Sequence, residues 1–308
     1  MSGNSFFGFD ESEVLSPSAA QHVGDFKVIR RLHLPSTINA VEATNIKIGL
    51  VVDVEATGLS AEHDEVVQLA MLPFTYDAES GLVLEVLKNE AFNSLREASV
   101  PMSTDASIIT GILDDDLTGM EIDAAKVEHL VNKADLITAH NAAYDRPMVE
   151  KLWPCFESKP WACTFTGVNW LHEGMTAGKL EFLGLQFGWF YDGHDALSDC
   201  EACLALLTQV LPGSQKIVLN AVRENAFQPQ YLVRALGAAF EKKDLLKQRH
   251  YKWRASDPRF GKFWWTITSD LERETKWLHE NVYGHEREIS ASIVPADVRF
   301  SDRLWELN

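Results

Sequence analysis

The run Ile48-Gly-Leu-Val-Val-Asp-Val-Glu-Ala-Thr-Gly-Leu59 constrains this chain more than any other stretch. Ile48 to Val52 is apolar and rich in β-branched residues, and Thr57-Gly58 closes it with a turn. It therefore reads as a buried strand. Side chains alternate along a strand, which puts Asp53 and Glu55 on one face. Two carboxylates at the end of a buried strand are costly unless something positive sits between them. A divalent metal answers that need, and hard oxygen ligands suit Mg²⁺ or Mn²⁺. On this stretch alone a solvated strand end, with one carboxylate capping a turn, is the commoner explanation, because D-x-E is a weak motif.

Two later stretches change the balance. Leu136-Ile-Thr-Ala-His-Asn-Ala-Ala-Tyr-Asp145 is a short apolar strand running into a helix. Pro147 is tolerated in a helix's first turn, so that helix is expected to start close to Asp145. In Gly193-His-Asp-Ala-Leu-Ser-Asp-Cys-Glu-Ala-Cys-Leu-Ala-Leu-Leu207 the apolar residues recur at helical spacing, so Asp199 sits near the start of another helix. His194 precedes Asp199 by five residues, roughly 140° away on a helix, and so belongs to a loop just outside it. Alone, His194 reads as a loop histidine and Asp199 as a first-turn dipole partner.

Together these stretches resemble the exonuclease motifs of the DnaQ-like superfamily, in its DEDDh branch. The matching residues are Asp53-Val-Glu55-Ala-Thr-Gly, His140-Asn-Ala-Ala-Tyr-Asp145 and His194-x-Ala-x-x-Asp199, in the family's order over about residues 47 to 212. The resemblance implies a ribonuclease-H-like fold, with Asp53, Glu55, Asp145 and Asp199 as metal ligands and His194 as general base. It implies two divalent cations, Mg²⁺ or Mn²⁺, in the two-metal arrangement for in-line attack on a phosphodiester. The implied reaction is stepwise 3′–5′ release of nucleoside 5′-monophosphates from a single-stranded 3′ end, with single-stranded DNA favoured over RNA. Ala56, Thr57 and Leu59, with Asn141, would line the terminal nucleotide by the same analogy. Pro101 to Ile112 resembles a family stretch that usually ends in His-Gly-Ile; Thr110 replaces that His, which leaves in doubt a substrate contact sometimes made there. Family members are often dimers, so a homodimer is among the assemblies implied.

Composition agrees with a globular protein, with 46% hydrophobic residues in 308. No run reaches the roughly 18 apolar residues of a membrane span. Met1 to Glu11 lacks a basic segment followed by an apolar core, so no signal peptide is indicated and a cytoplasmic location is the default. Cys155, Cys163, Cys200 and Cys203 do not make a disulfide scaffold at this length, and Cys200-x-x-Cys203 reads as reduced thiols of a helix. A net charge of −17 is unfavourable for meeting a polyanion, but its distribution is uneven. Through Pro212 there are 12 Lys+Arg against 32 Asp+Glu, a net of −20; from Gly213 onward 16 face 13, a net of +3. Bound cations would invert the field of the acidic part locally, and the basic part is the expected place for phosphate contacts.

Along the chain, residues 1–46 read as an N-terminal arm: to about residue 24 either a disordered terminus or, less commonly, a mobile arm with Phe6, Phe7 and Phe9 as docking points, then a strand or short helix over Phe26 to Leu34. Residues 47–212 form the expected exonuclease domain. Within it Glu65 to Tyr76 and Leu82 to Phe92 read as a hairpin through Asp77-Ala-Glu-Ser-Gly81, Asp123 to Ala134 as a helix, and Lys179 to Gly188 as another. The order implies an α/β fold with a mixed β-sheet flanked by helices. Residues 213–308 read as a small C-terminal α/β appendage: a helix-compatible Pro229 to Arg249, a hairpin over Tyr251 to Thr268, and a helix opened by Ser269-Asp-Leu-Glu272. Tyr251, Trp253, Trp264 and Trp265, interleaved with basic residues, can stack bases or build a small core.

Two other functions fit parts of the pattern. A phosphatase with Asp53 as nucleophile would want Asp at 55 and a downstream Lys; the chain has Glu55 and a complete His194/Asp199 motif. A catalytically silent nucleic-acid-binding or scaffold protein on the same fold would have lost an acid, and all four are present.

Overall fold

The computed structural model describes residues 21–23 and 26–308. Residues 1–20 of the expected arm, Phe6, Phe7 and Phe9 included, lie outside the described residues. Next come three short strands: β1 (Gln21–Val23) and β2 (Phe26–Val28), paired antiparallel, and β3 (Arg30–Arg31).

The centre is β4 (Ile46–Ala56), whose apolar run is buried on both faces. β4 pairs antiparallel with β5 (Val66–Asp77), placing Asp53 opposite Ala70 and Glu55 opposite Gln68, with a bulge between Glu55 and Ala56. The strand expected over Leu82 to Phe92 is two strands, β6 (Val83–Val86) and β7 (Phe92–Leu95), both paired to β5. A 3₁₀ turn at Lys88–Glu90 separates them, where Lys88-Asn89-Glu90 offers no apolar side chain to the sheet.

Past α1 (Thr104–Thr110), α2 (Asp114–Leu117) and α3 (Ala124–Lys133), β8 (Leu136–Ala139) joins β4 in parallel. α4 (Ala142–Leu152) follows, and β9 (Trp161–Cys163) pairs parallel with β8. The mixed sheet thus runs β6-β5-β4-β8-β9, with β7 alongside β5. α5 (Leu180–Phe187), β10 (Trp189–Phe190, paired with β3) and α6 (Ala196–Leu207) complete this part. One face of β4, carrying Val51, packs with Leu183 of α5 and with Cys203 and Leu204 of α6; Leu50, Val52 and Val54 on the other meet Val127 of α3 and Met148 of α4. The architecture is the ribonuclease-H-like α/β layer with helices on both faces of a mixed sheet.

α4 begins at Ala142, earlier than its proline suggests. Asn141 takes a left-handed turn (φ 78°) that redirects the chain into the helix, and Pro147 lies inside it. Cys155, Cys163, Cys200 and Cys203 are free thiols. Among the described residues, no helix is long and apolar enough to cross a membrane.

α7 (Val218–Phe227) packs Val218, Leu219 and Val222 into the core beneath α6, so that core continues past residue 212. The helix expected over Pro229 to Arg249 is instead β11 (Gln230–Ala235), a loop through Gly237, and only α8 (Lys243–Gln248). Tyr231, Leu232 and Val233 favour an extended chain, and sheet partners on both sides secure it. The hairpin β12 (Lys252–Arg254) and β13 (Phe263–Thr268) is present, with Lys252 opposite Trp265. α9 (Leu271–Leu278) is capped by Asp270 rather than Ser269, because the Asp270 carboxylate accepts the Arg273 N–H. β14 (Ser290–Val294) closes the antiparallel sheet β12-β13-β11-β14. Tyr251 and Trp264 are buried in the core of this module, while Trp253 is half exposed.

The segment after β14 returns to α4. Arg146, fully buried, donates to the carbonyls of Arg299 (2.8 Å) and Asp297 (2.5 Å) and pairs with Glu150 (2.6 Å). Arg303 joins the same knot through Glu150 and the Glu157 carbonyl.

Candidate active site

The end of β4 turns Asp53 and Glu55 toward α6, which brings Asp199 on its first turn. One carboxylate oxygen from each of Asp53, Glu55 and Asp199 lies within 4.8 Å of the others. Asp145 adjoins this triplet from α4, buried, its Oδ1 accepting the Val54 N–H at 3.3 Å. Burial pushes the Asp53 carboxyl well above its usual range, and the charges of Asp145, Asp199 and Glu55 push it further. Burial also raises Asp145, and burial with Asp199 and Asp195 pushes Glu55 up to about 7. Carboxylates that disfavour one another's charge while sharing one opening make an oxygen-only donor set, which fits a hard divalent cation.

Asp199 is held on both oxygens. The Tyr191 hydroxyl donates to Oδ1 at 2.6 Å and the His194 backbone N–H to Oδ2 at 2.8 Å. Burial raises this carboxyl, and those two hydrogen bonds pull it back. His194 has a left-handed backbone (φ 68°), and its exposed ring places Nε2 3.9 Å from Glu181 Oε1. Asp195 caps α6 by accepting from the Ser198 N–H. Gln68, buried opposite Glu55, ties that cap to the sheet: its amide donates to Asp195 Oδ1 (3.1 Å) and Asn93 Oδ1 (3.0 Å) and accepts the Ala196 N–H (3.4 Å). Asp199 and the His194 loop are thereby set against the end of β4.

The turn after β4 borders the cluster. The Thr57 hydroxyl donates to Asp64 Oδ1 and accepts the Glu65 N–H, so this side chain is used within the turn. Gly58 is required beside it, since a Cβ there would stand 2.6 Å from the Asp64 carboxylate. Ala56 is buried, Leu59 is 90% exposed beyond the turn, and Asn141 is exposed at the start of α4. The Tyr144 hydroxyl donates to the Gly58 carbonyl at 2.8 Å and joins this turn to α4. Thr110 closes α1, donating to the Ala106 carbonyl and accepting the Ile112 N–H. His140 is half-buried, bonded to Thr164 Oγ1 at 2.8 Å and driven by burial to about 4, so its ring stays neutral.

The structure thus gathers Asp53, Glu55, Asp145 and Asp199, with the His194 loop at their edge. Tyr191, Gln68 and Tyr144 were not picked out by sequence. Only Gln68 had a signal there, as a polar residue in an apolar strand.

The family model described as Exonuclease (RNase_T) matches residues 50–207, just over half of the chain. No curated protein matches the sequence. Among solved structures, Escherichia coli exonuclease I bound to a dA16 oligonucleotide aligns with a TM-score of 0.48 and 13% identity, over 72% of this chain and 63% of that one. A second exonuclease I structure aligns at 0.47 and 17%, over 82% and 63%. Exonuclease X in complex with 5′-overhanging duplex DNA aligns at 0.37 and 17%, over 56% of this chain and 98% of that one. The alignments span less than two thirds of the exonuclease I chains.

Proposed function

The chain belongs to the exonuclease family, as a DnaQ-like 3′–5′ exonuclease, and from that premise we propose that it is a metal-dependent enzyme of the DEDDh type. It releases nucleoside 5′-monophosphates one at a time from the 3′ end of nucleic acid, with single-stranded DNA favoured over RNA. Residues 47–212 carry the catalytic site, with α7 completing their core. Asp53, Glu55, Asp145 and Asp199 would hold two divalent cations, Mg²⁺ or Mn²⁺, which would supply positive charge to the phosphodiester under attack.

The remaining work falls to this chain's own side chains. His194, on its exposed loop, takes the proton of the attacking water as general base. The water oxygen bonds to the terminal phosphorus as the bond to the 3′ oxygen of the preceding nucleotide breaks. Tyr191 and the His194 N–H favour the charged form of Asp199 and aim it, while Leu59 and Asn141, exposed beside the cluster, flank the terminal nucleotide. The observation that carries this reading is the convergence of carboxylate oxygens from β4 and α6, with Asp145 behind them. Incubating a 5′-labelled single-stranded oligonucleotide with Mg²⁺ or Mn²⁺ should give a descending ladder, abolished in Asp145→Ala. No ladder from the wild type, or an unchanged ladder from the variant, refutes the proposal.

A further inference from the structure

A cavity of about 420 Å³ opens where α4 meets the C-terminal sheet. Trp265 and Trp305 form one wall, their indoles edge to face at 4.9 Å, while Thr166, Asn225, Gln230 and Lys252 supply polar groups. The volume falls within the range of pockets that hold small ligands. The Lys252 ammonium lies 5.4 Å from the centre of the Trp265 ring, and the Arg254 guanidinium 3.9 Å from that of Trp305. Indoles flanked by cations form the combination that holds single strands without reading sequence: each base has a face to stack, and each phosphate a charge to meet. Asp302 also borders the cavity, so the phosphate is placed on the Lys252 side.

The cavity is coupled to the carboxylates through shared elements. Ala143 and Pro147 of α4 line it, one helical turn apart, and Asp145 lies between them on the opposite side of the same helix. Pro147 has no N–H to offer the Ala143 carbonyl, which leaves that acceptor with spare capacity on the wall. On the β9 side, Thr166 follows Phe165, whose ring is 40% exposed and meets His140 edge-on at 5.5 Å. His140, Phe165 and Thr166 thus make a continuous line from the strand that precedes α4 to the cavity.

We infer that this cavity is a second nucleotide subsite: it takes one base of the single strand, upstream of the 3′-terminal nucleotide, against Trp265 and Trp305, with the adjoining phosphate at Lys252. The substrate class rests on the exonuclease reading above. The subsite makes long strands bind better than short ones without altering the chemical step.

The test uses the full chain in chelator, so that binding is read without turnover. Anisotropy is measured with 5′-fluorescein oligothymidylates of about twelve nucleotides, inside the roughly 4–16 that one such groove covers, and of about three. Lys252→Glu, on an exposed strand, and Trp265→Leu, with its fold checked by melting, are compared with wild type. Each should weaken the long oligonucleotide about tenfold, the size of one base–aromatic stack, and leave the short one unchanged. Lys252→Glu should also reduce the slope of log Kd against log salt by about one. Unchanged affinity for the long oligonucleotide in Lys252→Glu, or equal losses at both lengths, overturns the subsite. A wild type that shows the length-dependent contrast but digests neither oligonucleotide in Mg²⁺ or Mn²⁺ refutes the exonuclease reading and leaves the subsite standing.

Discussion

Replacing Glu55 by Gln should make the metal-free protein more stable at alkaline pH while removing its activity. Burial and the charges of Asp199 and Asp195 raise the Glu55 carboxyl from 4.5 to about 7. That displacement corresponds to about 3 kcal/mol between its two protonation states. The fold favours the neutral form, so Glu55 contributes stability that is fully present below pH 4.5 and lost as pH rises through about 7. Gln keeps the shape and stays neutral. In chelator at about pH 8.5, Glu55→Gln should therefore exceed wild type by up to about 3 kcal/mol, and at about pH 5 by less than about 1 kcal/mol. At roughly 2 °C per kcal/mol for a chain of this size, the alkaline difference in Tm is about 6 °C. Saturating Mn²⁺ should then nearly cancel the alkaline difference, since a cation at one hundred times its Kd stabilises wild type by about 2.7 kcal/mol and the variant has lost a donor. Calorimetric melting across pH, with and without Mn²⁺, reads all of this. A variant no more stable than wild type in chelator at alkaline pH, or a gap that does not close toward pH 5, refutes the electrostatic account of the cluster.

Tyr191→Phe removes a hydrogen bond that lowers the Asp199 carboxyl, so Asp199 rises further, protons compete better with cations, and the acid limb of kcat/KM should move up by about one pH unit; an unmoved limb counts against it. Gln68→Met unties the α6 cap from β5 and should weaken Mn²⁺ binding about tenfold, read as a shift in the Mn²⁺ dependence of Tm. A dependence equal to wild type would show that the cap holds itself. Arg146→Met strips Glu150 of a buried partner, the Arg299 carbonyl of its side-chain donor and the Asp297 carbonyl of one of two, at a cost of about 3 kcal/mol or more. An unchanged urea midpoint would contradict it.

How far sequence reached depended on how local each cause was. β4 was legible because an apolar β-branched run and alternation need no partner to be recognised, and α3 is likewise local, its Asp123 carboxylate accepting the Ala125 N–H two residues on. The four acids were legible as ordered motifs, since each stands at a strand or helix end that local pattern marks. Gln68 stood out only as a polar residue in an apolar strand, and its role was hidden because the group it holds, Asp195, is 127 positions away and only the fold joins them. Tyr191 was hidden for the same reason: a tyrosine near a strand reads as core until its hydroxyl is seen on Asp199. The start of α4 was misjudged because Asn141 supplies a left-handed turn that overrides the proline's preference for the first turn. The Pro229 to Arg249 stretch failed as a helix because strands β13 and β14 claim it from both sides, a tertiary demand that no window of the stretch contains.

The excess of negative charge, which first seemed to argue against a polyanionic substrate, has a place in this arrangement. Asp53, Glu55, Asp145 and Asp199 disfavour one another's ionisation, and that cost is what a cation relieves on binding. Under the proposed function, cations bound by these acids would place positive charge only where the phosphate is cut. Under the proposed function the strand would be held on another surface, and from Gly213 onward the chain has a net positive balance. Arg146 explains why these two parts must stay together. It follows Asp145 on α4 and binds the carbonyls of the segment that leaves the C-terminal sheet. The helix that contributes a carboxylate on one side thus anchors, on the other, the cationic and aromatic surface that would hold the strand, and a shift of either along α4 would misalign both.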